Sequence, residues 1–193
     1  MRRGFKSWAE RKSIEFRKEL LKDYYEKLGA IELAKHLDIV LIEPNDIPGL
    51  NDKEKNILLN HDHQSWSAIT IKNHLGELVI IYNPTHSDRR QESDSMHELA
   101  HIICKHNMEK IKRKDFPFQL RDYNAEQEDE AKWLGGCLQI PRKALEWCKY
   151  RRMSDNELAD HFGASFDMIT YRINITGIKK QIAYGKYLKV SGD

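Results

Sequence analysis

The sequence predicts an α+β fold: a small antiparallel sheet packed against long helices, followed by a helix-turn-helix-like C-terminal segment. Three observations carry this. "WSAITIK" and "ELVIIYN" are strand-like runs around "NHLG", where Asn73 and Gly76 supply the turn. Pro84 closes the second run, and Asp88 with Gln91 can then cap a long helix. Last, "SDNELADHFGASFDMITYRINITG" opens with a Ser154/Glu157 capping box, stops at Gly163 and restarts from a Ser165 cap.

Bulk properties narrow the class. A chain of 193 residues is long enough to bury a real core. We expect a main domain over 1–150, including an N-terminal helix, and a helical segment over 151–193 packed on it. With 40% hydrophobic and 32% charged residues the chain reads as soluble and globular, and a net charge of +2 argues against a nucleic-acid coat. "MRRGFKSWAERKSIEFRKELL" has no apolar h-region, and "LVIIY" is far too short to span a bilayer, so no membrane partner is expected. Three cysteines without a C-x-x-C pair suit reduced thiols, which points to the cytoplasm.

The remaining elements follow in order. Residues 5–27 carry Phe5, Trp8, Phe16, Leu20 and Tyr24 at roughly helical spacing among mixed charges, as in a helix laying one face on the domain. "AIELAKHL" reads as a short helix and "DIVLIEP" as a strand, whereas 45–62 starts as a loop and supports no firm assignment beyond that. Residues 107–122 read as an exposed connection. A second long helix starts near Tyr123 and runs through "EQEDEAKWLGGCLQI", and Pro141 sits at the first turn of a third.

Residues 96–106 read "MHELAHIICKH". His97 and His101 stand one helical turn apart on one face and can present two imidazoles to one metal ion. Zinc suits two imidazoles and a carboxylate with a position left open. Glu98 lies about 100° further round the helix, where it can act on an attacking water as general base rather than bind the metal. An H-E-x-x-H alone can arise by accident, so the reading requires a third ligand from a later helix. "AEQEDEAKW" offers Glu126, Glu128, Asp129 and Glu130. Helical periodicity does not choose between Glu128 and Glu130, since each flanks the apolar face of Ala131, Leu134 and Leu138.

Here the sequence resembles the ImmA/IrrE-type metallopeptidases, whose pattern is H-E-x-x-H, then E-x-x-A-N-x-F-A, then L-L-x-P. The corresponding stretches are "HELAH", "EDEAKWLG" and "LQIP", with likeness upstream in "WSAITI", "IIYNP" and "RRQESDSMHELAH" and downstream in "NELADHFGASFDMITYRI". The resemblance covers about residues 28–178 and implies a zincin-like fold. It implies that His97, His101 and Glu128 hold zinc, that Glu98 is the catalytic acid/base, and that the substrate is a DNA-binding helix-turn-helix repressor. Cleavage would then switch on phage, mobile-element or stress genes. Lys132 departs from the family's Asn, and a cation cannot accept a hydrogen bond from a ligand imidazole, so Glu130 stays open as the alternative third ligand. Gly135 and Gly136 replace small alanines that would let the two helices approach.

Other residues read more plainly. Cys104 suits core packing better than a fourth ligand. His106 ends its helix, where a cation suits the dipole, and His61 and His63 read as surface residues. Tyr82 and Tyr123 could donate to an oxyanion, but no spacing selects either. The would-be recognition helix "FDMITYRINIT" offers only Arg172 as a basic side chain, so a structural or partner-docking role is expected over DNA binding. The competing readings are a non-enzymatic regulator that binds DNA or a repressor through its C-terminal helices, and a toxin or anti-phage effector.

Overall fold

A computed structural model of the chain describes residues 1–61, 63–73, 75–107, 110–112, 119–121 and 124–181. Strands β1 (Val40–Ile42), β2 (Ala68–Lys72) and β3 (Leu78–Tyr82) form a sheet in the order β1-β3-β2. β2 and β3 make the expected antiparallel hairpin, with Ala68 opposite Tyr82 and Lys72 opposite Leu78. Asn73 Oδ1 accepts from the amides of Leu75 and Glu77, and Gly76 takes φ +83°. β1 joins the other edge of β3 in parallel, with Leu41 opposite Ile80, so the sheet is mixed rather than wholly antiparallel. The long connection through 43–67 carries the chain past the middle position, which β3 then fills. Within that connection lie α3 (Asp52–Asn56), capped by an Asn51/Glu54 box, and a π-turn over Ile57–His61.

Strand alternation sorts the side chains. Ile69, Val79 and Ile81 pack with Leu58 and Trp66 on one face. Ile80 packs on the other face with Met96 and Leu99 of α4 (Asp88–Ile103), and Thr70 stands opposite Ile80. The same core takes in α1 (Phe5–Glu19), α2 (Ala30–His36) and α5 (Ala125–Gln139). A second core joins α6 (Arg142–Tyr150), α7 (Asp155–Phe162) and α8 (Phe166–Thr176). The Ser154/Glu157 box, the Gly163 stop and the Ser165 cap all form as expected.

Several boundaries differ from the sequence expectation. α1 ends at Glu19 rather than 27, because Leu21 turns into the left-handed region while the Leu21 and Lys22 amides close back on Lys18 and Arg17. Ser87, not Asp88, takes the N-cap position of α4, without a side-chain cap bond, and Asp88 lies in the first turn; the Gln91 side chain donates to the Pro84 and His86 carbonyls instead of closing a box. α5 starts at Ala125 from an Asn124 cap, and Tyr123 lies outside the described residues. Pro141 is the residue before α6. Within 107–122, β4 (Lys110–Lys112) and β5 (Gln119–Arg121) pair antiparallel, and much of the rest lies outside the described residues. Among the described residues no helix is long and apolar enough to cross a membrane.

Candidate metal centre

The site forms where α4 and α5 cross. Met96, Leu99 and Ala100 of α4 meet Ala131, Leu134 and Leu138 of α5 in the core, which sets His97 and His101 at the edge of that contact. Gly135 makes the crossing close: a Cβ there would stand 3.3 Å from the Met96 carbonyl oxygen and 3.4 Å from His97 Cα. Gly136 serves a different neighbour, since its Cβ would lie 2.9 Å from Arg172 Cδ on α8. Of the two small residues expected to admit α4, only Gly135 does so.

Three of the sequence-predicted donors converge. His97 Nε2 lies 3.0 Å from Glu128 Oε2 and 3.0 Å from His101 Nε2, and His101 Nε2 lies 3.4 Å from Glu128 Oε1. One donor atom from each residue fits within 4.8 Å of the other two. Atoms about 2.0–2.1 Å from one ion at the corners of a tetrahedron stand about 3.3–3.4 Å apart, so this donor set fits zinc in spacing and in chemistry. His101 is 2% exposed, whereas His97 and Glu128 are 31% and 26% exposed, so the triad is anchored inside and open on one side. Burial opposes the Glu128 charge, but hydrogen bonding and attraction to His101 and His97 outweigh it. Its carboxyl is held well below the usual range. A cavity of about 430 Å³ runs beside the triad, bordered by Asp94, His97, Glu128, Lys132 and Met168.

Glu98 is buried on α4, and its Oε2 accepts a 2.5 Å hydrogen bond from the Thr70 hydroxyl on β2. Glu130, the other candidate third ligand, lies outside the triad. Its Oε1 accepts from the Arg2 amide and Nε at 2.9 and 3.0 Å, and its Oε2 faces Arg2 Nη2 at 2.8 Å and His106 Nε2 at 3.3 Å. Lys132 sits with its ammonium 5.0 Å from the centre of the Tyr171 ring, turned to α8. Cys104 packs against the main core, and burial pushes its thiol up to about 12. His61 is exposed, His63 bonds the Asn60 carbonyl, and Tyr82 lines a small cavity with Glu92 and Ser95.

Sequence reasoning missed two partners. Thr70 is one; the alternation of "AITIK" puts it on the α4 face, but nothing local marks it as a partner of Glu98. His106 is the other, and its position just beyond the helix end was the available signal. α4 closes with Lys105 in the left-handed region and the His106 amide bonded to the His101 carbonyl. This turn folds His106 back beneath His101, where their Nδ1 atoms stand 2.8 Å apart.

Comparison with curated proteins and with solved structures finds no match. The model of the peptidase M78 family, described as the IrrE N-terminal-like domain, matches residues 34–174. That span contains β1 to β5 and both helices of the metal-site crossing, and the family implies a metal ion. The chain belongs to the peptidase M78, IrrE N-terminal-like family.

Proposed function

We propose that the chain is a zinc-dependent endopeptidase making limited cuts in a protein substrate. The observation that carries the reading is the convergence of the His97, His101 and Glu128 donor atoms within 4.8 Å, with a buried carboxylate, Glu98, on the same helix. His97, His101 and Glu128 would hold the ion. Zinc bound there supplies Lewis acidity, polarising the scissile carbonyl and easing deprotonation of a water. Glu98 accepts the proton of the attacking water and passes it to the leaving amine nitrogen. Thr70 fixes the Glu98 carboxylate through Oε2. β2 is an edge strand of its sheet, so an extended peptide laid along it would pass Glu98, a mode that reads backbone more than side chains.

The substrate we propose is a helix-turn-helix repressor in the cytoplasm, whose cleavage releases phage, mobile-element or stress genes. Residues 1–150 would form the metal-binding domain and the segment from 151 would dock on it through α7 and α8; of the expected 151–193, residues 182–193 lie outside the described residues. Burial of Arg172 supports docking over DNA reading, because α8 offers no other Lys or Arg.

Metal analysis of purified protein tests the site. We expect near-stoichiometric zinc in the native chain and in Glu98→Gln, its loss in Glu128→Ala, and its retention in Glu130→Ala under saturating zinc. Zinc retained by Glu128→Ala and lost by Glu130→Ala would reverse the ligand assignment. Native zinc-loaded protein should cut a helix-turn-helix repressor and Glu98→Gln should not; equal cutting by both would overturn the role of Glu98.

A further inference from the structure

We infer that His106, Glu130 and Arg2 form a relay that positions the ligand imidazole of His101. The inference rests on the metal-site reading above and extends it to residues that hold no metal. His106 Nδ1 is 2.8 Å from His101 Nδ1, and His106 Nε2 is 3.3 Å from Glu130 Oε2. Glu130 is in turn gripped by the Arg2 amide at 2.9 Å and by its guanidinium at 3.0 and 2.8 Å. The side chains of His106 and Glu130 are only 5% and 4% exposed, so water does not substitute for these contacts.

The proton pattern closes in one direction. With His101 Nε2 turned to the donor triad, its proton sits on Nδ1 and is donated to His106 Nδ1. The His106 proton is then on Nε2 and is donated to the Glu130 carboxylate, whose charge Arg2 balances. Among the described residues each of these donors meets an acceptor, and the tautomer of His101 is set from outside the triad. Outer partners of this kind orient metal-ligating histidines and raise their basicity, and their loss typically costs about 10–100-fold in metal affinity.

The relay also accounts for two sequence features. Lys105 adopts φ +55°, a conformation rare for a residue with a side chain, and it is this turn that brings His106 under His101. Glu130, two residues beyond Glu128, lies about 200° round α5. It therefore faces Arg2 and His106 while Glu128 faces the triad. Both glutamates of "EDE" are engaged, one as donor and one behind the donors.

The test is zinc affinity by chelator competition, together with the visible spectrum of the cobalt-substituted protein. His106→Leu should bind zinc about 10–100-fold more weakly than native and shift the cobalt bands, while the metal-free protein melts as native. His106→Asn keeps an acceptor at the Nδ1 position and should recover affinity to within a few-fold of native, which a purely steric role would not predict. Glu130→Gln, nearly isosteric, should also weaken zinc binding and carries the test if His106→Leu fails to fold. Native affinity and spectrum in both His106→Leu and Glu130→Gln, with the native chain binding zinc, overturn the relay alone. A native chain that takes up no zinc overturns the metal-site reading and the relay together.

Discussion

Glu98 and Thr70 make a short contact beside the triad, 2.5 Å between a hydroxyl and a buried carboxylate. A general base contributes about 10²–10⁴-fold and depends on its orientation. Thr70→Val keeps the shape and removes the donor, so we expect kcat to fall about 10-fold or more with KM nearly unchanged, while Thr70→Ser restores most of it. Steady-state kinetics on a cleavable peptide reads this directly; a Val variant with native kcat would remove Thr70 from the machinery. The thiols give a second expectation at this scale. Burial raises Cys104 to about 12 and Cys148 to about 11, and raises Cys137 as well. At pH 8 all three remain protonated, and only the thiolate reacts. Thiol labelling at that pH should be slow in the folded protein and complete in denaturant; rapid native labelling of any of the three would contradict the packing described here.

Helices decide which residues meet, and their ends were the least legible feature. Capping boxes and glycine stops are written in local residue types, which is why α7 and α8 could be placed from the sequence. The end of α1 could not, because its left-handed residue is Leu21, 95% exposed, where a helix stop normally uses glycine. Leu21→Gly removes a strain of about 1–2 kcal/mol and offsets part of it with unfolded-state entropy. We expect a net gain near 1 kcal/mol, or roughly 2–4 °C in Tm, measurable by calorimetry; a lowered Tm would mean the leucine makes a contact that matters. The H-E-x-x-H helix was legible because both its ligands lie within one turn. The choice between Glu128 and Glu130 was not, since both flank the same apolar face and their fates are separated by distant residues, His97 and His101 on one side and Arg2 and His106 on the other. "DIVLIEP" reads as a strand, but the parallel partner of β1 is set by the path of residues 43–67. Nothing within "VLI" specifies that path.

At the scale of the molecule, the last turn of α5 is the junction. Its carbonyls at Leu138 and Gln139 accept from Arg17 of α1, and the carbonyl of Ile140 accepts from Arg172 of α8. Both arginines are fully buried, and burial pulls Arg17 down to about 10, which leaves it charged at neutral pH beside a helix C-terminus that favours a cation. Arg172 also reaches Glu10 at 2.6 Å, and the second oxygen of Glu10 accepts the Arg142 amide at the start of α6. One guanidinium thus ties α1, α5 and α8, with α6 joined through Glu10. Arg172→Ala leaves the Ile140 carbonyl and the Glu10 carboxylate without this donor, and breaking such buried charged contacts costs about 3–5 kcal/mol. Arg172 Nη1 finds no partner among the described residues, and Glu10 is partly exposed, so we expect the lower end, about 3 kcal/mol, or roughly 6–12 °C in Tm. A DNA-contacting Arg172 predicts the reverse pattern: a native melting curve, weaker DNA affinity and a salt dependence reduced by about one ion. Thermal melting and a salt-titrated DNA-binding assay on the same variant separate the two. A large fall in Tm with no change in DNA affinity identifies α8 as the brace that holds α5, and with it Glu128, in place. An unchanged Tm would detach the C-terminal helices from the stability of the metal centre and return them to the role of a recognition module.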